Sequence, residues 1–223
     1  MRRRKMSLAN VLTFPEPKKK LIRLRGERVS FSPPQLKTFL KAAAQHSERA
    51  YAMFTFALSH GARASEIADL RLSDLRFESC QVQIRRLKGS NGTLQPFVKV
   101  DGFDERAALE AWLRVRPEVD SDYVFISRQS NGANPYAMHR SQVYRLFRNI
   151  CLIAGLTELG KSGSHILKHT CGQLLYDAGV DLSSIQQRLG HVSLSSTSCY
   201  AKPTQAQAHE RMTGMVSKIF ATE

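Results

Sequence analysis

The residues of this chain that could carry chemistry gather in one stretch, from Ser164 to Tyr200. Within it, His165, Lys168, His191 and Tyr200 each stand beside a signal for the start or end of a helix. That placement indicates a functional site rather than four scattered polar residues.

The side chains of this stretch suit metal-free cleavage of a DNA phosphodiester. That reaction needs a nucleophile, cations around the phosphorane oxygens and an acid for the departing 5′ oxygen. Tyr200 can attack phosphorus and store the bond energy as an ester. The other roles fall to Arg63 and Lys168 for charge, His165 and His191 for hydrogen bonds or proton transfer, and Lys88 for the acid.

His165 and His169 also have the i, i+4 spacing of two zinc ligands on a helix. The residue after His165 is Ile166, so the glutamate of H-E-x-x-H is missing, and no third ligand is evident. A metal pair, a purely structural pair and a phosphate site remain open at this point.

Charge indicates the partner. The chain of 223 residues has a net charge of +14, and residues 1–28 carry +8 of it. A basic arm ahead of a basic globule favours a polyanion, because neutralised phosphates release counterions. A solvated tail and an acidic membrane surface are the alternatives.

No long apolar run or signal-like segment is present, which predicts a soluble protein without a membrane partner. Cys80, Cys151, Cys171 and Cys199 show no C-x-x-C pair and fit reduced intracellular thiols. These features predict a cytoplasmic location.

The elements that must position the site are mostly helical. Apolar spacing and end signals predict helices over 33–43, 49–59, 64–70, 104–115, 138–154, 165–178, 182–189 and 205–220. The helix over 49–59 is apolar nearly all round, so we expect it at the centre of the core. Ser164 and Asp181 are expected N-caps, and Gly179 and Gly190 follow helix ends.

Between the third and fourth helices the apolar period changes to two. The segments 81–87 and 94–100 read as strands around Asn91-Gly92, a strong turn signal that places Lys88 at the hairpin end. A further short strand is expected over 123–126. The sequence thus predicts an α+β, mostly helical fold with a small antiparallel sheet, formed by residues 29–223 behind the irregular arm 1–28 and ending in a tail over 201–223.

Over residues 30–205, the chain carries an ordered series of short motifs that resembles the tyrosine recombinases. The matching motifs are H-G-A-R-A-S-E-I around Arg63, Lys88 after a strand, H-I-L-K-H-T from His165, L-G-H at His191, and Tyr200 nine residues later. The stretches H-G-A-R-A-S-E-I and R-R-L-K-G are especially similar to the short recombinases that invert the promoter switch of type 1 fimbriae. The resemblance to them predicts a chain without a separate N-terminal core-binding domain.

The resemblance implies the catalytic-domain fold of that family and a role for each residue. Tyr200 would form a 3′-phosphotyrosyl link and Arg63 would bind the scissile phosphate. Lys88 would be the general acid, while His165 and His191 would hydrogen-bond the phosphate or assist proton transfer. The family needs neither metal nor ATP, so no cofactor is expected.

Lys168 departs from the family pattern, which has a second arginine in this slot. A guanidinium contacts phosphate oxygens with two parallel hydrogen bonds, whereas an ammonium is a point charge. Losing one such contact costs on the order of 10² to 10³ in rate. A natural variant with weaker activity, a deliberate substitution and a chain that binds DNA without cutting it are the three interpretations.

The resulting expectation is a bacterial, nucleoid-associated, site-specific recombinase that acts on double-stranded DNA and serves integration or phase variation. The tail helix over 205–220 would dock on a neighbouring protomer of a DNA-bound tetramer, or else pack on its own domain. A non-catalytic DNA-binding regulator and a type IB topoisomerase are the alternatives.

Overall fold

The computed structural model describes residues 29–86, 92–127, 136–201 and 205–220. The helices are α1 (Pro33–His46), α2 (Glu48–His60), α3 (Ala64–Ala68), α4 (Glu105–Val115), α5 (Arg140–Ile153), α6 (Thr157–Gly160), α7 (His165–Asp177), α8 (Leu182–Leu189) and α9 (Gln205–Phe220). The strands are β1 (Leu75–Arg76), β2 (Gln81–Ile84), β3 (Thr93–Pro96), β4 (Lys99–Val100) and β5 (Phe103–Asp104). The described part of the chain is therefore mostly helical with little sheet, as predicted.

Helix α2 is the centre of the core, as its apolar sequence predicted. It packs against α1, α4 and α7, and Phe54 and Phe56 are at most 1% exposed. Ser47 is the N-cap of this helix, and its side chain accepts a hydrogen bond from the Ala50 amide. Gly61 is the C-cap and has the left-handed backbone that glycine adopts without strain.

Aromatic rings fill the space between α1, α2 and α5. Phe39 lies at the middle of this group, with ring centroids 5.1 Å from Phe31, 5.2 Å from Phe54 and 5.3 Å from Phe147. All four rings are buried, so α1 and α5 are fastened to the central helix by the burial of large apolar surfaces.

The helix boundaries follow the sequence signals at most positions. Pro33 opens α1, Asp181 caps α8 through the Ser184 amide, and Gly190 ends α8 with a left-handed backbone. Ser164 precedes α7 as expected, but its side chain makes no capping hydrogen bond and its backbone is already helical. The short helix α6 was not predicted.

The main sheet is antiparallel with the order β1-β2-β3, and β2 pairs with β3 with Val82 opposite Gln95. The predicted hairpin is present, although its strands are shorter than expected, and β4 pairs with β5 in a second small sheet. The expected strand over 123–126 was wrong: only isolated bridges form there, from Tyr123 to Arg71 and from Ile126 to Ala137.

A second, smaller apolar cluster lies between α7, α8 and the segment that follows them. It consists of Cys171, Ile185, Leu189 and Tyr200. This cluster packs the end of α8 against α7, and so positions these two helices, which carry or adjoin the candidate site residues. In the described residues, no helix is long and apolar enough to cross a membrane.

Candidate active site

Arg63 stands at the entrance of α3, immediately before its first residue. Its side chain is 32% exposed and donates to Glu66 at 2.8 Å, while its backbone amide donates to the same carboxylate at 2.9 Å. Arg63 and Glu66, three residues apart in the chain, therefore form an ion pair. It holds the guanidinium near the surface, where an external anion can reach it.

Glu66 serves two arginines at once. Its carboxylate is buried and also accepts a hydrogen bond from Arg86 at 2.9 Å. Burial raises the pKa of Glu66, but the positive charge of Arg86 and the hydrogen bonds from Arg63 outweigh that effect, so the pKa lies below its usual value. Glu66 is thus an anion inside a cationic site.

Lys168 lies inside the protein rather than on its surface, with 4% of the residue exposed. Its ammonium donates a hydrogen bond of 2.5 Å to the carbonyl of Leu189 in the last turn of α8. Burial lowers its pKa to about 7, and the positive charges of Arg86 and Arg63 contribute in the same direction. At neutral pH this side chain is therefore close to losing its charge.

His165 occupies the first turn of α7 and is exposed to solvent. Its pKa is lowered by partial burial, then by the charges of Arg63 and Lys168, while Glu66 opposes them. The imidazole is therefore largely neutral at pH 7 and can accept a proton. Because the charges of Arg63 and Lys168 lower its pKa, His165 lies in the same electrostatic environment as those two side chains.

His191 follows the C-cap glycine of α8 and is half-buried. Its Nδ1 lies 2.8 Å from the hydroxyl of Thr197. Its ring is nearly parallel to that of Tyr200, with 9° between the planes and 6.5 Å between the centroids. The position of His191 is thus set by α8 on one side and by the segment leading to Tyr200 on the other.

Tyr200 is 5% exposed, because its ring packs against α7. A Cβ atom added at Gly172 would lie 2.4 Å from its Cζ. The phenolic oxygen lies 3.3 Å from Nδ1 of His169, the residue whose i, i+4 spacing to His165 had left a metal pair, a structural pair and a phosphate site open. The hydroxyl is thus directed at α7 in this structure.

The structure gathers most of the predicted residues around the ends of α3, α7 and α8. Lys88 lies outside the described residues, as does Asn91 of the predicted turn. Among the side chains that are described, no three His, Cys, Asp or Glu residues cluster as metal ligands would. The site is therefore a group of cations and imidazoles beside a tyrosine.

Arg86 is the residue that the sequence interpretation missed. It follows β2 and its side chain is fully buried. The signal available in the sequence was the pair Arg85-Arg86 after an alternating strand, in which one of two adjacent arginines must point inward. An inward arginine needs an anion, and Glu66 is that anion.

A comparison with protein families gives one match, described as the phage integrase family, over residues 30–207. Among known proteins, the chain is 34% identical over 163 residues to the type 1 fimbriae regulatory protein FimE of Escherichia coli K12. That match covers 71% of this chain and 77% of FimE. It is also 34% identical over 171 residues to FimB of the same strain, covering 74% of this chain and 80% of FimB.

Among solved structures, the fold is similar to that of XerA recombinase, with a TM-score of 0.69 and 26% identity. The match covers 84% of this chain and 65% of XerA, so the chain spans just under two thirds of that protein. The XerH site-specific recombinase in its pre-cleavage complex with difH substrate has the same fold, with a TM-score of 0.65 and 24% identity. That match covers 82% of this chain and 53% of XerH.

Proposed function

This chain belongs to the phage integrase family and is a site-specific tyrosine recombinase, and from that premise we propose that Tyr200 is its nucleophile on double-stranded DNA. The phenolic oxygen attacks the scissile phosphorus, a 3′-phosphotyrosyl ester forms, and the bond to the 5′ oxygen breaks. The reverse reaction with a new 5′ hydroxyl rejoins the strand. The ester conserves the bond energy, so the cycle balances without an added energy source.

The remaining roles follow from charge and exposure. Arg63 is partly exposed and held by Glu66, so it contacts the scissile phosphate first. Lys168 supplies a second positive charge while it is protonated, because its buried ammonium interacts electrostatically with the same carboxylate. For Lys88, the role of protonating the departing 5′ oxygen is the one that the resemblance to the tyrosine recombinases implies.

His165 and His191 have different roles in this proposal. His165 has a lowered pKa and is exposed, so its neutral ring accepts the proton that the tyrosine hydroxyl loses. His191 lies parallel to the Tyr200 ring and hydrogen-bonds a phosphate oxygen. That stacked pair, beside the cations of α3 and α7, is the observation that carries the proposal.

Tyr200 must turn away from α7 before it can reach a phosphate. In the structure its hydroxyl lies next to His169, on the side of Gly172. We therefore assign the described arrangement to the protein before cleavage. DNA would favour the turned-out position of Tyr200, because its phosphates supply negative charge for the cations of the site to bind.

A DNA-bound tetramer completes the proposal. In α9 the exposed apolar side chains are Met212, Met215, Val216, Ile219 and Phe220. An amphipathic helix with so much apolar exposure is suited to dock on a neighbouring protomer. The basic arm 1–28 would hold the DNA backbone, and the protein would act at the nucleoid in the bacterial cytoplasm.

The test is formation of a covalent adduct on nicked suicide duplexes made from the DNA that flanks the native gene. We expect an adduct that survives denaturing electrophoresis, and none with Tyr200→Phe. If DNA binding is saturated and the native chain still forms no adduct, the protein is a DNA-binding regulator. Inverted repeats in the cleaved duplex would assign the biological event to inversion, which the resemblance of H-G-A-R-A-S-E-I and R-R-L-K-G to the inverting recombinases implies.

A further inference from the structure

Arg86 is a buried arginine that lies two residues before Lys88 in the chain. Its side chain has no exposed surface, whereas its neighbour Arg85 is half exposed and pairs with Asp74 at the surface. Taking a guanidinium out of water is costly unless its donors are satisfied. Its contacts therefore show what the protein gains from placing it there.

The guanidinium connects three helices. One terminal nitrogen donates to Glu66 of α3 at 2.9 Å. The other donates to two backbone carbonyls, that of His60 at the end of α2 at 2.9 Å and that of Arg188 near the end of α8 at 2.5 Å. Carbonyls at a helix C-terminus carry partial negative charge, so both acceptors suit a cation.

Two glycines make this close approach possible. A Cβ at Gly190 would lie 2.7 Å from Nε of Arg86, and a Cβ at Gly61 would lie 2.3 Å from Leu189. Both residues have the left-handed backbone of a helix cap. The ends of α2 and α8 thus meet at Arg86 with no room for another side chain.

The end of α8 is also the point from which His191 projects. Gln95 of β3 donates to the same Arg188 carbonyl at 3.0 Å, and Lys168 donates to the next carbonyl, that of Leu189. Three side chains from the hairpin and from α7 therefore hold the last turn of α8. Arg86 is the one that also reaches Glu66, and through it Arg63.

We propose that Arg86 is a positioning residue, which fixes His191 relative to Arg63 by tying the last turn of α8 to Glu66. It touches neither substrate nor reacting atom. The inference rests on the proposed function for its effect on cleavage, while the geometric effect on His191 does not depend on it.

The test compares Arg86→Lys with the matched control Arg85→Lys. A lysine keeps the positive charge beside Glu66 but cannot reach the carboxylate and two carbonyls together. A misplacement of about 1 Å lowers a rate on the order of 100-fold. We expect Arg86→Lys to slow adduct formation by about that factor with DNA affinity unchanged, and Arg85→Lys to leave the rate within about threefold of the native value.

A double-mutant cycle with His191→Gln separates positioning from general damage. If Arg86 acts through His191, the Arg86→Lys penalty largely disappears when His191 is already replaced. An undiminished penalty in the His191→Gln background would overturn the proposal. Should Arg86→Lys fold poorly, Gly190→Ala disturbs the same contact from the other side. Gly179→Ala is its control, because Gly179 has a similar backbone and nothing within 4 Å of an added Cβ.

A second readout needs no cleavage. The ring C–H resonance of His191, identified by its loss in His191→Gln, should move in Arg86→Lys and stay in place in Arg85→Lys. An unmoved His191 resonance in Arg86→Lys would also overturn the proposal. If the native chain forms no adduct at all, the proposed function fails, and this measurement still decides whether Arg86 positions His191.

Discussion

The ring of Tyr200 packs directly on the backbone of Gly172, in the middle of α7. A glycine inside a helix normally lowers stability relative to alanine, because it gives up more backbone freedom on folding. Here the missing Cβ is what makes space for the phenol, since an added Cβ would lie 2.4 Å from Cζ and 2.7 Å from the hydroxyl oxygen. Gly172 therefore admits the tyrosine to its buried position.

The first prediction concerns this contact. Gly172→Ala should displace the Tyr200 ring from α7, increase the reactivity of Tyr200 toward nitration, and lower the free energy of unfolding. Losing the burial of a large side chain costs about 2 kcal/mol, which exceeds the gain in helix propensity of roughly 1 kcal/mol. Mass spectrometry of the nitrated protein and urea denaturation measure the two effects.

Gly214→Ala is the matched control, because Gly214 is also helical but has nothing within 4 Å of an added Cβ. It should leave Tyr200 nitration unchanged and should not destabilise the protein. Equal nitration of Tyr200 in Gly172→Ala and in the native chain would show that the burial of the Tyr200 ring does not require the missing Cβ of Gly172.

The second prediction concerns Lys168. An arginine there keeps one N–H for the Leu189 carbonyl and has further donors for a phosphate, and it remains charged at any relevant pH. Lys168→Arg should therefore speed adduct formation on the nicked duplex by up to ~10²-fold. Lys168→Met, which has neither charge nor donor, should be slower than the native chain. Unchanged or lower rates in Lys168→Arg would mean that this pocket is built around lysine.

The third prediction is a pH dependence of stability. The pKa of Lys168 is lowered to about 7 from 10.5 in the folded chain, so between these values the unfolded chain binds more protons and the free energy of unfolding rises with pH. Below pH 7, the burial of charged Lys168 lowers the free energy of unfolding by its full amount. Lys168→Met should remove this rise, which approaches ~1.4 kcal/mol per pH unit for one full proton.

Urea denaturation of both chains from pH ~7 to ~8.5 measures this difference. The range stops there because burial raises the pKa of Cys171 to about 11 and of Cys151 to about 12, which lowers stability at higher pH. Parallel curves for the native chain and Lys168→Met would contradict the burial of a titrating lysine.

The fourth prediction concerns the arm over residues 1–28, which carries +8 of the net charge. Deleting it should lower DNA affinity at low salt and flatten the slope of log affinity against log salt, because fewer counterions are released. Fluorescence anisotropy with one duplex at several salt concentrations measures the slope. A slope equal to that of the full chain would mean that the arm does not contact phosphate.

Much of the fold could be predicted because its signals are local. The caps at Asp181 and Gly190 and the apolar surface of α2 are set by neighbouring residues, and the structure confirms them. The strand expected over 123–126 was wrong because a short apolar run does not specify a strand partner, and here isolated bridges join Tyr123 to Arg71 and Ile126 to Ala137. Apolar residues there are buried as a loop against the core.

The site was harder to predict than the fold, because its contacts join distant parts of the chain. Arg63 and Glu66 are only three residues apart, whereas Arg86 is twenty residues from Glu66 in the chain and meets it only in the folded structure. The burial of Lys168 beneath the end of α8 was likewise invisible, since it depends on the packing of Gly61 against Leu189. Whether the predicted residues act as assigned stays a prediction.

The cations at the ends of α3 and α7 bear on how the protein should be prepared. Arg63 and Arg86 share the carboxylate of Glu66, while Lys168 has a carbonyl rather than a carboxylate as its partner. Inorganic phosphate and sulfate offer the same oxygens as a DNA backbone, and a ligand that binds only the folded state stabilises it. Since we propose that this site binds a scissile phosphate, we expect inorganic phosphate to compete for it, so a chain purified in phosphate should melt higher and cleave more slowly than the same chain in Tris.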